Sequence, residues 1–339
     1  MQLKNQSFKR EVTMKMKTKR VTITAAALLM SMTVAQAASY RLACPSAETS
    51  TTCLTATYFS DKVRELSKGD IDIQVFPAGQ LGSGAKAIQQ MRAGVLDFVV
   101  ESMSNYGNFV DDFNVVSWGF TFRDNAHFQT FLASDLQKAM QDELNETSGV
   151  KMLAGNWSKL PRMVVSTRPI HTPEDLAGLK FRVPGIPSFI KTWSTLGANP
   201  TQVPWGESFQ ALKTGLTDAM ETPYDSILSQ KFHLAAPYVS LTEHVYDSIT
   251  VSMNGARFAK LDTADQDLLL QAAADAADYS AELVSEVAKT VASKLEADGA
   301  TILDVDRAPF AAKLKAAAHE QENEGLWGAG LYDGIQALQ

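Results

Sequence analysis

From residue 38 onward, two hydrophobic periods take turns along the chain. "IDIQVFP" (71–77) and "PRMVVSTRPI" (161–170) alternate apolar and polar positions or run apolar between breaks, which predicts strands. "TTCLTATYFSDKVRELSKG" (51–69) instead sets Leu54, Phe59, Val63 and Leu66 near helical spacing and ends in a glycine stop. The same exchange continues through strand "YRLAC", helix "GAKAIQQMRAG", strand "VLDFVVES", a helix over about 125–143 and strand "VKMLAGNW". "VLDFVVES" is nearly continuous in apolar residues, as in strands covered on both faces. A second alternating unit follows: a short helix in "HTPEDLAGLK" with Thr172 as cap and Pro173 at its first position, then "KFRVP", "SFIKTWSTLGA", "NPTQVPW", "ESFQALKTG", "LTDAMETP" and "SILSQKF".

From 263 to about 298 one helical pattern persists, with Thr263 and Gln266 read as a capping box. At ~1.5 Å per residue it would reach roughly 50 Å, longer than one small domain is wide. "ATILDVD" and a final helical region close the chain. The expected architecture is α/β and two-lobed, with one long helix spanning both lobes. The lobes are set at 38–160 with about 248–287, and at 161–247 with about 288–339. Hinges are expected near 159–162 and 247–250.

The first 37 residues do not belong to this pattern. Lys15, Lys17, Lys19 and Arg20 precede an apolar run, "VTITAAALLMSMTV", and "AQA" at 35–37 is a small-x-small cleavage site. A removed signal peptide and a periplasmic mature chain are expected. Export takes away seven basic residues and one acidic residue, leaving 24 basic and 37 acidic, a net charge of −13. That excess opposes nucleic acid and anionic membranes as partners. Any bound anion must be caught by local positive groups. Cys44 and Cys53 are the chain's two cysteines, and the reading leaves open a disulfide or two separate buried thiols.

Catalytic signatures are missing from the sequence. It holds no G-x-S-x-G, no H-E-x-x-H and no P-loop, and histidines 127, 171, 233, 244 and 319 lack metal-ligand spacing. "GSGAKA" (82–87) has the form G-x-G-x-x-A, but "PAGQL" separates it from the preceding strand, so it reads as a glycine-rich helix start. No cofactor is expected.

Polar and aromatic residues gather instead at carboxyl strand ends, where ligands bind in open α/β sheets. In the second unit these are Arg162, Arg182, Trp205 and Thr222. In the first they lie in "CPSAETS" (44–50), with Pro45, and in "ESMSNY" (101–106), with Glu101, Ser102, Asn105 and Tyr106. Either arginine offers a forked pair of donors to a carboxylate. Taken alone, a strand-end arginine is more often an exposed charge, a tryptophan before a helix more often core, and Tyr106 a lid over the core.

The stretch "LKFRVPG…GANPTQVPWGESFQALKTGLTDAMETP" (179–223) resembles the signature of the extracytoplasmic solute-binding proteins of tripartite ATP-independent periplasmic (TRAP) transporters, the DctP-like family. "IDIQVFPAGQLG" and "LDFVVES" extend the resemblance over the mature chain. It implies a two-lobed, periplasmic-binding-protein-like fold whose interlobe ligand cleft closes on a small organic acid, which is handed to a TRAP membrane permease, with Arg182 as carboxylate anchor, Arg162 as second arginine and Trp205 as aromatic wall. Two positions depart from the family pattern: Thr222 stands where its E-N-P turn has asparagine, and Trp118-Gly119 where it has Leu-Pro. The expected protein is monomeric and not an enzyme, with a sugar acid slightly favoured as ligand. The alternatives are an exported enzyme using Arg182, Glu101 and Tyr106 on a carboxylic acid, and a ligand-sensing protein without a permease.

Overall fold

The structure is a computed structural model that describes residues 38–339. The expected signal peptide lies outside these residues. Eleven described strands form two sheets. β1 (Ala38–Ala43), β2 (Ile71–Phe76), β3 (Phe98–Ser102), β4 (Val150–Trp157) and β10 (Ile249–Asn254) make one, in the order β2-β1-β3-β10-β4. β5 (Arg162–Ser166), β6 (Lys180–Val183), β7 (Asn199–Gln202), β8 (Ala219–Pro223), β9 (Tyr238–Val245) and β11 (Thr301–Leu303) make the other, in the order β11-β9-β5-β8-β6-β7. The chain passes from the first sheet to the second between Trp157 and Arg162, and returns between Val245 and Ile249.

Both sheets are mixed. β10 runs antiparallel to β3 and β4, and β5 runs antiparallel to β8 and β9. The sequence pattern did not predict β9 and β10. In a half-exposed strand the polar positions face water. Here Ser240, Thr242 and His244 of β9, and Thr250 and Ser252 of β10, are all buried. The polar half of each alternation therefore carries no outward face to recognise.

Two further differences concern helices. The segment expected as one helix over 125–143 is two, Asn125–Leu132 and Asp135–Ser148, because Ser134 accepts from the Gln137 N–H and caps a new start. The long C-terminal pattern is likewise split into Thr263–Ala288 and Val291–Ala297. At the break Thr290 leaves helical geometry at φ −125°, and its hydroxyl returns to the Val287 carbonyl, a local bond that competes with the helix. The cap of the longer piece is Asp262, which accepts from the Asp265 N–H, and not Thr263. That piece lays Leu269, Ala272, Ala273, Ala276 and Ala277 on the first sheet's core, and Trp157 donates its indole N–H to the Ala273 carbonyl at 2.9 Å. Cys44 and Cys53 are joined as a disulfide, tying the end of β1 to the helix Thr51–Leu66.

Another apolar cluster draws residues from both sheets. It contains Val99, Met103 and Phe113 together with Phe181, Val183 and Phe189. Helix Pro187–Thr195 lies against residues 114–119, where Ser188 and Ser117 hydroxyls meet at 2.6 Å and the Gly119 N–H donates to Thr192. The last helix, Leu331–Gln336, returns to the first unit: the Ile335 carbonyl lies 2.8 Å from His127 Nε2 and Arg123 donates to the Gln336 carbonyl. The sequence reading had kept that end of the chain with the second lobe.

Candidate functional site

Sheet registers decide which predicted residues meet. β6 points Phe181 and Val183 into the shared cluster, and its alternation sends Arg182 to the opposite face, against Trp205. Pro184 ends the strand. The Arg182 side chain is 98% buried by residue exposure, with its Nε donating to the Val203 carbonyl at 3.0 Å and its guanidinium 5.7 Å from the centre of the Trp205 ring. No Asp or Glu lies within ion-pair distance of it among the described residues. Burial lowers its pKa to about 10.

Arg162, at the start of β5, is handled differently. Its Nε and Nη2 both donate to Glu221 of β8, the second at 2.8 Å, and its guanidinium lies 5.0 Å from the centre of the Phe189 ring. Burial alone would raise the Glu221 carboxyl, but the Arg162 guanidinium brings it down to about 2. So two buried arginines border one cavity, and one of them is already neutralised.

That cavity is lined by Pro45, Glu101, Ser102, Asn105, Arg162, Arg182 and Trp205 of the nine predicted residues. Glu101 lies at the end of β3. Its carboxylate accepts from the Gly84 N–H at 2.5 Å and from the Asn105 amide at 2.9 Å. Gly84 sits at φ 59°, ψ −146°, a conformation that glycine adopts at little cost and that lets the helix Ala85–Arg92 start with this N–H turned to the carboxylate. The "GSGAKA" stretch is thus a helix start bordering the cavity. Burial raises Glu101 to about 7.

Tyr106 and Thr222 do not line the cavity. The Tyr106 hydroxyl donates to Ser252 Oγ at 2.8 Å and accepts from Thr250, and its ring packs on Phe113 in the shared core. Thr222 is fully buried on β8, one residue on from Glu221, so alternation turns it to the face of Met220 and away from Arg162. Pro223 lines the cavity in its place.

The sequence reading missed Lys159, Thr52 and Ser226, which also line the cavity. Lys159 lies in the link between the sheets, and a lysine there reads as a solvated charge. Its side chain is 7% exposed. Next to the lining residues Thr52 and Ser226, the Thr51 hydroxyl, from the first unit, donates to Asp225 Oδ2, from the second, at 2.7 Å, and both side chains are buried.

Two expected outcomes arise here. Trp118, Trp157, Trp193 and Trp327 are all at most 2% exposed, whereas Trp205 is half-buried with its edge on Phe232. Ligand titration should therefore change tryptophan emission, and Trp205→Phe should remove most of that change. Trp205→Ala should weaken binding while costing less stability than the roughly 3–5 kcal/mol typical of a fully buried aromatic, as read from denaturant melts. The second outcome concerns pH. Glu101 has a folded pKa raised from 4.5 to about 7, so the stability it permits is full below 4.5 and is lost as pH rises through about 7. Between pH 5 and 8, urea melts should show Glu101→Gln gaining on the parent protein as pH increases. A constant difference would mean that Glu101 does not titrate there.

Two α/β units enclosing a cavity with one buried, uncompensated guanidinium and a rim of hydroxyl and amide groups define a binding protein for a small organic anion. The chain belongs to the bacterial extracellular solute-binding protein family 7, the DctP family, whose model matches residues 43–324. Solute-binding protein RD1_1052 of Roseobacter denitrificans is 32% identical over 303 residues, 89% of this chain and 92% of that protein. The crystal structure of that TRAP solute-binding protein, with bound L-galactonate, matches at a TM-score of 0.82 and 29% identity, covering 88% of this chain and 98% of the other. The 2,3-diketo-L-gulonate-binding periplasmic protein YiaO of Escherichia coli is 31% identical over 280 residues, 82% of this chain and 85% of its own. A TRAP solute-binding protein from Xanthobacter autotrophicus with bound β-D-galacturonate matches at a TM-score of 0.82 and 28% identity, covering 88% of this chain and all of that one.

Proposed function

We propose that this protein captures a sugar acid, an aldonate or uronate, in the periplasm and delivers it unchanged to a TRAP-type membrane permease. The observation that carries this reading is Arg182: a buried guanidinium without a carboxylate partner, at the wall of a cavity otherwise supplied with Ser, Thr and Asn side chains. Burying an unpaired charge is costly, so such a group is best understood as awaiting its counter-ion. A ligand carboxylate supplies that charge, and hydroxyls on the rest of the ligand match the polar rim. Glu101 opposes a second carboxylate on the ligand. The ligands bound by the relatives above are of the same chemical class.

In this reading the lobes are 38–160 with about 248–287 and 161–247 with about 288–339, apart from the last helix, and residues 1–37 are removed on export. The links near 159–162 and 247–250 are the hinges, and the Thr51–Asp225 contact forms as the lobes close. The protein acts as a monomer and is not an enzyme. A thermal-shift screen of organic acids followed by calorimetry tests the reading, with the ligand recovered and weighed by mass spectrometry. One molecule of a hydroxylated monocarboxylate bound per chain and recovered intact is the expected result. A chemically altered ligand would establish an enzyme instead.

A further inference from the structure

Lys159 has more donors than the protein uses. Its ammonium lies 2.5 Å from Ser102 Oγ and 3.5 Å from Asp247 Oδ2. The longer contact is a weak pairing, and Asp247 does not depend on it. Asp247 Oδ2 accepts from Ser104 Oγ at 2.9 Å, and Oδ1 accepts from the Ser248 N–H at 2.9 Å and the Ser104 N–H at 3.4 Å. An ammonium has three donors, so one remains for the cavity that the side chain lines. Lys159 also borders a second cavity behind the hinge, which Asp247 lines as well. Its short bond, however, goes to Ser102, which lines only the ligand cavity of the two.

Ser102 follows Glu101 on β3, and both line the ligand cavity. Glu101 has used its two carboxylate oxygens once each, on Gly84 and Asn105, and each oxygen keeps further acceptor capacity. The cavity thus offers a charged donor and a carboxyl acceptor, near enough that the Lys159 charge acts on the Glu101 carboxyl. A ligand hydroxyl satisfies both at once, by accepting from the ammonium and donating to the carboxyl. Arg182 lies on the other sheet, on β6.

We propose that Lys159 is a specificity-determining residue that, with Glu101, holds a hydroxyl of the ligand whose carboxylate is held by Arg182. This rests on the sugar-acid reading above. Lys159 selects a hydroxylated acid over an acid of similar shape without hydroxyls. Its position in the link between the sheets means that this selection is made at the hinge, where both units meet the ligand.

The test compares two probes by calorimetry: the tightest binder among D-galacturonate, D-glucuronate and L-galactonate, and cyclohexanecarboxylate, a ring acid without hydroxyls. Lys159→Met is expected to weaken the sugar acid about tenfold or more, the range for a hydrogen bond to a charged group. It should leave cyclohexanecarboxylate within about twofold of its unmodified affinity. Lys159→Gln, which keeps a donor for Ser102 but no charge, should show the same narrowing of preference to a smaller extent, and it serves if the Met variant folds poorly. Equal weakening of both acids would overturn the proposal and make Lys159 a scaffold residue acting through Asp247. No weakening of either would overturn it too. If the unmodified protein binds cyclohexanecarboxylate but no sugar acid, the proposed function fails, and the Lys159 assignment with it. The unmodified protein and the variants thus separate the two failures.

Discussion

Arg182→Ala should abolish most ligand affinity while leaving the ligand-free protein as stable as before, or more so. The two halves of that result have one cause. In the ligand-free protein Arg182 is a buried charge with a backbone carbonyl and an aromatic face as partners and no carboxylate. Removing it relieves a desolvation cost that the fold does not offset. In the proposed complex the same guanidinium is the counter-ion of the ligand, and truncating one partner of a buried charged pair costs about 2–5 kcal/mol of binding. Calorimetry for affinity and denaturant melts for stability read the two halves separately. Affinity within twofold of the parent would remove Arg182 as the anchor. A large loss of stability would make it a structural residue.

Glu221→Ala should do the reverse at first order, costing stability before it costs affinity. Glu221 is fully buried and engages both Arg162 Nε and Nη2. Without it Arg162 is left as an unpaired buried cation, for which a loss of about 3–5 kcal/mol is typical. The pH dependence has a defined sign. The Glu221 pKa falls from 4.5 to about 2 on folding, so its contribution is present above 4.5 and is lost as pH falls through about 2. Urea melts at neutral and acid pH should therefore show the difference between parent and variant shrinking as acid is added. A variant as stable as the parent at pH 7 would contradict the pairing. These two expected results would separate the two buried arginines, one as a residue that holds the fold and one as a residue that holds the ligand.

That separation was only half legible in the amino-acid sequence. Arg182 was readable because alternation in "KFRVP" and the proline stop put a guanidinium at a strand end. Arg162 opens β5 instead of ending a strand, and it was readable as a site residue mainly through the family resemblance. Its neutralisation was not, because Glu221 is 59 positions away and meets it only through the β5–β8 register. Thr222 shows the opposite failure. A strand end was predicted correctly, but period-two alternation does not say which residue of that end the cavity reaches: Thr222 is fully buried on the face of Met220, and Pro223 lines the cavity. Tyr106 follows Glu101 by five positions, yet the short 3₁₀ turn over Met103–Asn108 rotates it into the core, where Ser252 of the unpredicted β10 takes its hydroxyl. Lys159 carries no local signal at all. Its burial arises where two sheet-to-sheet links converge with Ser102, and that meeting is a property of topology. The long helix was seen for its persistent helical pattern, but its interruption comes at a single threonine.

The central claim is that a ligand carboxylate completes Arg182. The structure of the protein crystallised with D-galacturonate, or with the tightest sugar acid of the screen, tests it most directly. The account predicts the carboxylate within hydrogen-bonding distance of the Arg182 guanidinium, beside the Trp205 ring, with the ligand's hydroxyls directed to the Glu101 wall. A ligand bound with its carboxylate elsewhere and Arg182 facing water would contradict it.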